Sequence, residues 1–166
     1  MLVIVLRFVG LLLVISPGNI LLLGVDDGNP QLGLIDYGQV KKLPDNIRLL
    51  FCKLIIALAD DNRQDIIRLM KEAGYKSKYM DEDNIYLYAK VGYDEDNEEL
   101  TGGKHIQLFM EELENKDPIK QLPKDLLMVS RASILLRGLA HVVNQNRSIA
   151  KAWKPIAEEV LQRESV

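Results

Sequence analysis

The sequence predicts a mainly α-helical domain with one short β-hairpin near the N-terminus. Apolar side chains recur at helical spacing through residues 44–162. Before them, residues 19–38 contain two short apolar runs separated by a cluster of turn-forming residues, which is the pattern of a hairpin. We therefore expect the β-structure at the start of the chain and five or six helices after it.

Size, composition and charge narrow the class of protein. A chain of 166 residues buries about 70% of the surface that it exposes when unfolded, enough for one core. The content of 48% hydrophobic and 27% charged residues is typical of a soluble globular domain. The net charge of -3 argues against nucleic acid as a partner, because backbone binding needs an excess of basic residues. Cys52 is the single cysteine and is expected in the core.

The hairpin is predicted from residues 20–23 and 32–35, which are the two apolar runs. Residues 24–30 between them are rich in Gly, Asp, Asn and Pro and form the turn. After Gly38 the apolar spacing becomes helical. We expect a first helix with its N-cap at Asp45, a second from an N-cap at Asn62 to an end at Gly74, and a third from Asp81 to near Tyr88. A fourth helix is expected to break at Asp117. A long helix should follow from Lys124 to about Val143, and Ser148 should cap the last one. Residues 94–99 are predicted to form an exposed acidic loop.

Two polar side chains flank the predicted hairpin and suit a divalent cation. Asn19 precedes the first strand, and Asp36 begins an Asp-Tyr-Gly triplet after the second. Kinases hold Mg²⁺ with an Asn at the end of the catalytic loop and an Asp that heads Asp-Phe-Gly. We expect the hairpin to bring the Asn19 amide oxygen and the Asp36 carboxylate together, as ligands that Mg²⁺ prefers. The alternative is that both residues belong to ordinary turns.

Residues 17–166 resemble the C-terminal lobe of the UbiB or aarF-domain-containing (ADCK) atypical kinases. The family signature is Asp-Pro-His-Pro-Gly-Asn, a hairpin and Asp-Phe-Gly. Residues 17–21 and 34–40 fit it well, with Tyr37 in place of Phe, and residues 131–138 also look like this lobe. The resemblance implies that Asn19 and Asp36 are the Mg²⁺ ligands of an ATP site in a fragment of an atypical protein kinase or ATPase.

The chain also departs from that family. Val14 occupies the position of the catalytic-loop Asp, five residues before Asn19, and a valine cannot accept a proton. The N-terminal lobe of the family, with its nucleotide-binding Lys, has no counterpart here. We therefore expect no phosphoryl transfer by this chain alone, because positioning and charge neutralisation act as a unit. The alternative is a non-catalytic helical interaction module or a pseudokinase-like module.

Residues 1–16 form an apolar segment that is unlike the family. A mis-spliced or truncated gene model would produce such a break. Competing interpretations are a buried segment, a hydrophobic helix through residue 15, a membrane span or anchor, and a secretory signal, although residues 1–15 are short for a span. No targeting peptide is visible in the sequence.

Family resemblance implies a role beyond the nucleotide site. It suggests activity in isoprenoid-quinone (ubiquinone) lipid metabolism, associated with membranes of mitochondria, plastids or bacteria. The implied partners are a nucleotide and either membrane lipid or proteins of the quinone pathway, with no nucleic acid.

The remaining candidate residues favour structural roles. His105 and His141 are too far apart in sequence to form a ligand-spaced zinc motif. Arg131 and Arg137 lie in an otherwise apolar helical pattern and are expected to meet carboxylates, with the acidic loop as a candidate source. Trp153 falls on an apolar helical stripe and is expected in the core.

Overall fold

A computed structural model of the 166-residue chain describes residues 11–14, 20–24, 26, 28–29, 31–34, 39–142 and 147–164. The fold is mainly helical and contains the predicted antiparallel hairpin, which confirms the expected fold class. Four short strands come first in the described chain, and they form two antiparallel pairs, β1 with β4 and β2 with β3. The strands are β1 (Leu11–Val14), β2 (Ile20–Leu23), β3 (Gln31–Leu34) and β4 (Gln39–Lys42).

The hairpin closes through a backbone hydrogen bond in its turn. The Asn29 amide donates to the Gly24 carbonyl oxygen at 3.1 Å. Gly24 has a φ of +63°, a left-handed conformation that side chains disfavour. A Cβ atom at this position would also lie 2.5 Å from the Asn29 carbonyl oxygen. The turn therefore needs glycine at residue 24 for both backbone and steric reasons.

Replacing Gly24 with alanine is expected to open the hairpin locally. Left-handed backbone costs an alanine about 1–2 kcal/mol, and the clash with Asn29 adds to that cost. Hydrogen exchange at the β2–β3 amides should therefore become about tenfold faster or more, since 1.4 kcal/mol corresponds to a factor of ten. Gly28→Ala is the matched control, because Gly28 has a φ of +69° with no atom within 4 Å of its Cβ position. Equal effects of both substitutions would contradict the steric part of this account.

The N-terminal segment is partly described. Leu11–Val14 form strand β1, so a hydrophobic helix through residue 15 is wrong for these four residues. The rest of the segment, residues 1–10 and 15–16, lies outside the described residues. Among the described helices, none combines the length and the apolar character needed to cross a membrane.

Seven helices follow the strands in the described part of the chain. They lie between residues 45 and 164, close to the predicted range. The order is α1 (Asp45–Ala59), α2 (Arg63–Glu72), α3 (Glu82–Tyr93), α4 (Glu98–Thr101), α5 (Ile106–Lys116), α6 (Lys124–Val142) and α7 (Ile149–Glu164).

The core is built around α1, which packs along α7. Phe51 makes edge contacts with Tyr93 and Trp153, with ring centroids at 6.0 and 6.4 Å. Trp153 and Cys52 are buried, as the sequence predicts. Burial raises the pKa of the Cys52 thiol to about 11, against a smaller lowering effect of Arg48, so this thiol is a poor nucleophile at neutral pH.

Most of the predicted helix caps are confirmed. Asn62 accepts from the Asp65 amide, Asp81 accepts from the Asn84 amide, and Ser148 accepts from the Lys151 amide. The prediction for Asp45 is wrong. Pro44 occupies the N-cap position, and the Asp45 carboxylate lies inside the first turn, 3.3 Å from Arg48.

Two other predictions need correction. The third helix, α3, does not end near Tyr88 but continues to Tyr93. The acidic segment 94–99 is not an exposed loop throughout, since Asp94 is buried and only 1% exposed, while Glu98 begins the short helix α4. A carboxylate is excluded from water only where it is paired and hydrogen-bonded, so Asp94 must have strong partners.

A third strand pair lies far from the N-terminus, where the sequence predicted no β-structure. β5 (Lys76–Ser77) pairs with β6 (Ile119–Gln121). Asp117 is buried beside this pair and accepts hydrogen bonds from the Ser77 hydroxyl and from the amides of Tyr79 and Asp81. Burial alone would raise the pKa of Asp117, but these hydrogen bonds outweigh it and lower the pKa.

Acid is expected to destabilise the fold through Asp117. Because its folded-state pKa is lowered, Asp117 stabilises the fold above its unfolded pKa of about 3.9, and this contribution is lost as pH falls through the folded value. Asp117→Asn should lower the free energy of unfolding at pH 7 and flatten its dependence on pH below about 5. Urea unfolding at several pH values measures this. The exposed residue Glu111 supplies a control, Glu111→Gln, which should keep the wild-type slope.

Candidate functional site

The two N-terminal strand pairs contain the residues on either side of the predicted metal ligands. In the β1–β4 pair Val14 is opposite Gln39, and in the β2–β3 pair Ile20 is opposite Leu34. Facing residues of antiparallel strands have Cα atoms about 4.5–5.5 Å apart. Residues 15–19 connect Val14 to Ile20, and residues 35–38 connect Leu34 to Gln39. Both connections therefore begin and end at the same two cross-strand pairs.

The predicted ligands belong to these two connections. Asn19 directly precedes Ile20, and Asp36 follows Leu34 by two residues. Both Asn19 and Asp36 lie outside the described residues, so their predicted roles stay predictions. Val14 is the last residue of β1.

Strand β2 presents apolar side chains to solvent. Leu21 is 39% exposed and Leu23 is 49% exposed. They are two residues apart and so lie on one face of the strand. Gly33 faces Leu21 in β3, and a Cβ at Gly33 would lie 3.0 Å from the Leu23 side chain. The hairpin therefore carries an exposed apolar face in the strand that directly follows Asn19.

The outer strands attach this region to the helices. Strand β1 packs against α6, and β4 leads into the buried Leu43 and then into α1. In the first turns of α1 the buried Arg48 pairs with Glu164 at 2.6 Å, which joins α1 to the end of α7. The hydrogen bond and charge of Glu164 raise the pKa of Arg48 despite its burial. The hairpin thus extends from strands that the helical body holds.

A second polar cluster joins α3 to α7, and the sequence did not predict it. The buried Asp94 carboxylate accepts from Lys90 Nζ at 2.9 Å, from the Ala150 amide at 3.0 Å and from the Ser148 hydroxyl. Burial lowers the pKa of Lys90, but the hydrogen bond and charges of Asp94 and Glu95 outweigh it, so the pKa is raised. The only signal in the sequence is the four-residue spacing of Lys90 and Asp94, which is common on exposed helix surfaces.

Arg137 lies on α6 close to the acidic segment. Its Nη2 donates to the Val91 carbonyl oxygen at 2.5 Å, and its Nε is 3.8 Å from an Asp96 carboxylate oxygen. The expectation that Arg137 meets a carboxylate of this segment is therefore confirmed. Arg131 on the same helix is exposed, and no ion pair links it to a carboxylate among the described residues.

The histidines have separate surroundings. The imidazole Nδ1 of His105 accepts from the Gln107 amide at 3.4 Å and caps α5. His141 lies on α6, with Nε2 3.6 Å from Asp96. Within the described ranges no group of three or more His, Cys, Asp or Glu side chains is arranged to hold a metal ion. Asn19 and Asp36 are not among the described residues.

Comparison with known proteins indicates a kinase-like relationship. The chain is 28% identical over 125 residues to a probable serine/threonine-protein kinase, abkB, of Dictyostelium discoideum. The match covers 74% of this chain and 18% of the amoebal protein, so the chain spans less than a fifth of that relative. No family model matches, and no solved structure matches. A mainly helical fold with an antiparallel hairpin is consistent with a kinase-like lobe.

Proposed function

We propose that this chain is part of a UbiB/ADCK-type atypical kinase or ATPase, in which Asn19 and Asp36 hold the Mg²⁺ of a Mg-ATP complex. The observation that carries the proposal is the strand pairing of Val14 with Gln39 and of Ile20 with Leu34. Residues 15–19 and 35–38, of five and four residues, start and end at these two cross-strand pairs. This supports the proposal that one ligand from each connection reaches a shared ion.

The chemistry of the two ligands fits the metal. An amide oxygen and a carboxylate oxygen are hard donors, and Mg²⁺ is commonly held by one or two protein oxygens, with phosphate oxygens and water completing its octahedron. When bound, the ion would neutralise charge on the phosphates. Asn19 and Asp36 would position it.

The exposed apolar face of β2 supports a nucleotide as the ligand. Leu21 and Leu23 lie two and four residues after Asn19 and leave 39% and 49% of their surfaces uncovered. We infer that the base of the nucleotide lies against this face while its phosphates reach the ion. Binding sites for small molecules combine such apolar walls with a few fixed polar groups.

Phosphoryl transfer is not expected from the chain alone. Val14 stands where the family resemblance implies a catalytic Asp, and a valine cannot accept the proton of a hydroxyl nucleophile. The longer protein of this type would supply the remaining machinery. A role in isoprenoid-quinone metabolism at mitochondrial or plastid membranes belongs to that whole protein and follows from the family resemblance.

Nucleotide-dependent thermal stability tests this function. The melting temperature of the 166-residue chain should rise with ADP plus Mg²⁺ and should not rise with ADP plus a chelator, because binding to the folded state alone stabilises it. Leu21→Ser should weaken the effect, and Tyr79→Ser, at another exposed side chain, should leave it unchanged. Indifference of the wild-type chain to Mg-ADP would favour a non-catalytic helical interaction module instead.

A further inference from the structure

A cleft of about 240 Å³ lies between the acidic segment, the C-terminal half of α6 and the start of α7. Its lining includes Asp96, Arg137, His141, Arg147 and Ser148. The side chains of Arg137 and His141 come from α6, and Arg147 lies just before Ser148, which caps α7.

Arg137 carries unused hydrogen-bonding capacity in this cleft. The residue is only 4% exposed, and its Nη2 is bonded to the Val91 carbonyl oxygen. Its Nε and Nη1 atoms are buried without a hydrogen-bond partner in the described part of the chain. A buried charged donor left without an acceptor is costly, so an oxygen-rich ligand that reaches it is stabilised.

The neighbouring carboxylates satisfy Arg137 incompletely. Asp94 and Glu95 lie 2.9 and 3.2 Å from Lys90, and Asp94 also accepts from the start of α7. Asp96 is 3.8 Å from Arg137 Nε and 3.6 Å from His141 Nε2, both too long for hydrogen bonds. Burial lowers the pKa of Arg137, and the charges of Asp96, Asp94 and Glu95 only partly oppose this effect. Arg137 therefore lacks a carboxylate at hydrogen-bonding distance among the described residues.

The start of α7 adds to the attraction for an anion. Ser148 caps this 16-residue helix and also lines the cleft. The Ala150 amide is already bonded to Asp94, so the helix contributes mainly its dipole, which favours negative charge at the N-terminus. Arg147 precedes the cap, is exposed and has no carboxylate partner among the described residues.

We propose that this cleft binds a phosphate group, either as inorganic phosphate or as a phosphomonoester, through Arg137 and Arg147. The planar guanidinium of Arg137 would donate from its unpaired nitrogens to two oxygens of the group. Arg147 would close over the group from the solvent side. Asp96 competes with the anion for Arg137 and His141.

Isotope-resolved NMR of the full chain tests the proposal. Titration with inorganic phosphate at constant ionic strength, balanced with chloride, should produce a saturable shift of the Arg137 Nε–H signal. O-phosphoserine in a parallel titration distinguishes the two forms of the ligand: tighter binding than phosphate identifies a phosphomonoester site, and weaker binding identifies a site for the free ion. Sulfate, a dianion of similar shape, should compete with either.

Variants of Arg147 and Asp96 test the proposal without replacing the buried Arg137. Arg147→Gln should weaken phosphate binding about tenfold, as loss of one charge-assisted contact would. Asp96→Asn should strengthen it, a change that a purely structural role of Asp96 would not produce. The matched control is Arg131→Gln, at an exposed arginine of α6, the helix that carries Arg137, and it should not change phosphate binding. Absence of a saturable shift, or equal weakening by Arg131→Gln and Arg147→Gln, would overturn the proposal.

Discussion

Asp36→Ala is expected to abolish the stabilisation of this chain by ADP and Mg²⁺. The carboxylate is the only charged member of the proposed ligand pair, so its loss leaves a single neutral amide oxygen for the ion. At a ligand concentration 100 times the dissociation constant, the wild-type chain should gain about 2.7 kcal/mol. For a chain of this size that gain corresponds to a rise in melting temperature of about 5–10 °C, and the variant should show none of it.

A second acidic residue of the same hairpin provides the control. Asp26 is exposed in the turn, so Asp26→Ala removes the same charge without touching the proposed site. Its response to Mg-ADP should match that of the wild-type chain. Stabilisation that survives in Asp36→Ala, or that is lost equally in Asp26→Ala, would show that the site does not depend on the Asp36 carboxylate.

The largest effect on stability is expected for Asp94→Ala. This substitution leaves Lys90 buried without its closest partner and removes the acceptor for the Ala150 amide and the Ser148 hydroxyl. Breaking a buried ion pair from one side costs about 3–5 kcal/mol. Domains are stable by about 5–15 kcal/mol in total, so this is a large loss of stability, and urea unfolding measures it.

A double variant separates the contribution of the Lys90–Asp94 ion pair from that of its surroundings. Lys90→Met with Asp94→Leu should restore part of the stability lost in Asp94→Ala, because apolar replacement of both partners avoids an unpaired buried charge. Glu99→Gln, at an exposed acidic residue nearby, should change the free energy of unfolding by less than about 0.5 kcal/mol. A double variant no more stable than Asp94→Ala would place the cost in the lost α7 cap instead.

Local sequence signals predicted the elements that depend on local chemistry. The hairpin follows from two apolar runs around Gly24, and the helix starts at Asn62, Asp81 and Ser148 follow from side chains that accept from backbone amides. The N-cap prediction for Asp45 was wrong because an acidic residue after Pro44 suits the N-cap and the first turn of the helix equally well.

Features set by distant contacts were not predictable in the same way. The β1–β4 pair joins residues 11–14 to residues 39–42, and the uniformly apolar sequence of β1 has no alternation that would indicate a strand. Burial of Asp94 and Asp117 depends on partners more than 30 residues away, Ala150 in one case and Ser77 in the other. Acidic side chains in such segments are usually solvated, so the sequence favoured an exposed Asp94 and did not indicate the burial of Asp117.

The candidate site was predicted from the order of its parts. An Asn, a strand, a turn, a strand and an Asp-Tyr-Gly triplet indicate two ligands joined by a hairpin. The sequence did not indicate the outer strand pair, in which Gln39 lies opposite Val14. In this pair the residue before segment 15–19 faces the residue after segment 35–38. The surroundings of Arg137 were predicted only in part. An arginine in an apolar helix indicates a paired charge and does not indicate that two of its nitrogens lack a hydrogen-bond partner among the described residues.

Mn²⁺-induced line broadening in the presence of ADP tests whether Asn19 and Asp36 bind a common metal ion. Mn²⁺ accepts the same oxygen ligands as Mg²⁺ and broadens the NMR signals of nearby amides. Substoichiometric Mn²⁺ should broaden the Ile20 and Leu34 amides first, and Asp36→Ala should remove this effect. Broadening confined to the acidic residues 94–99, with Ile20 and Leu34 unchanged, would contradict a metal site shared by Asn19 and Asp36.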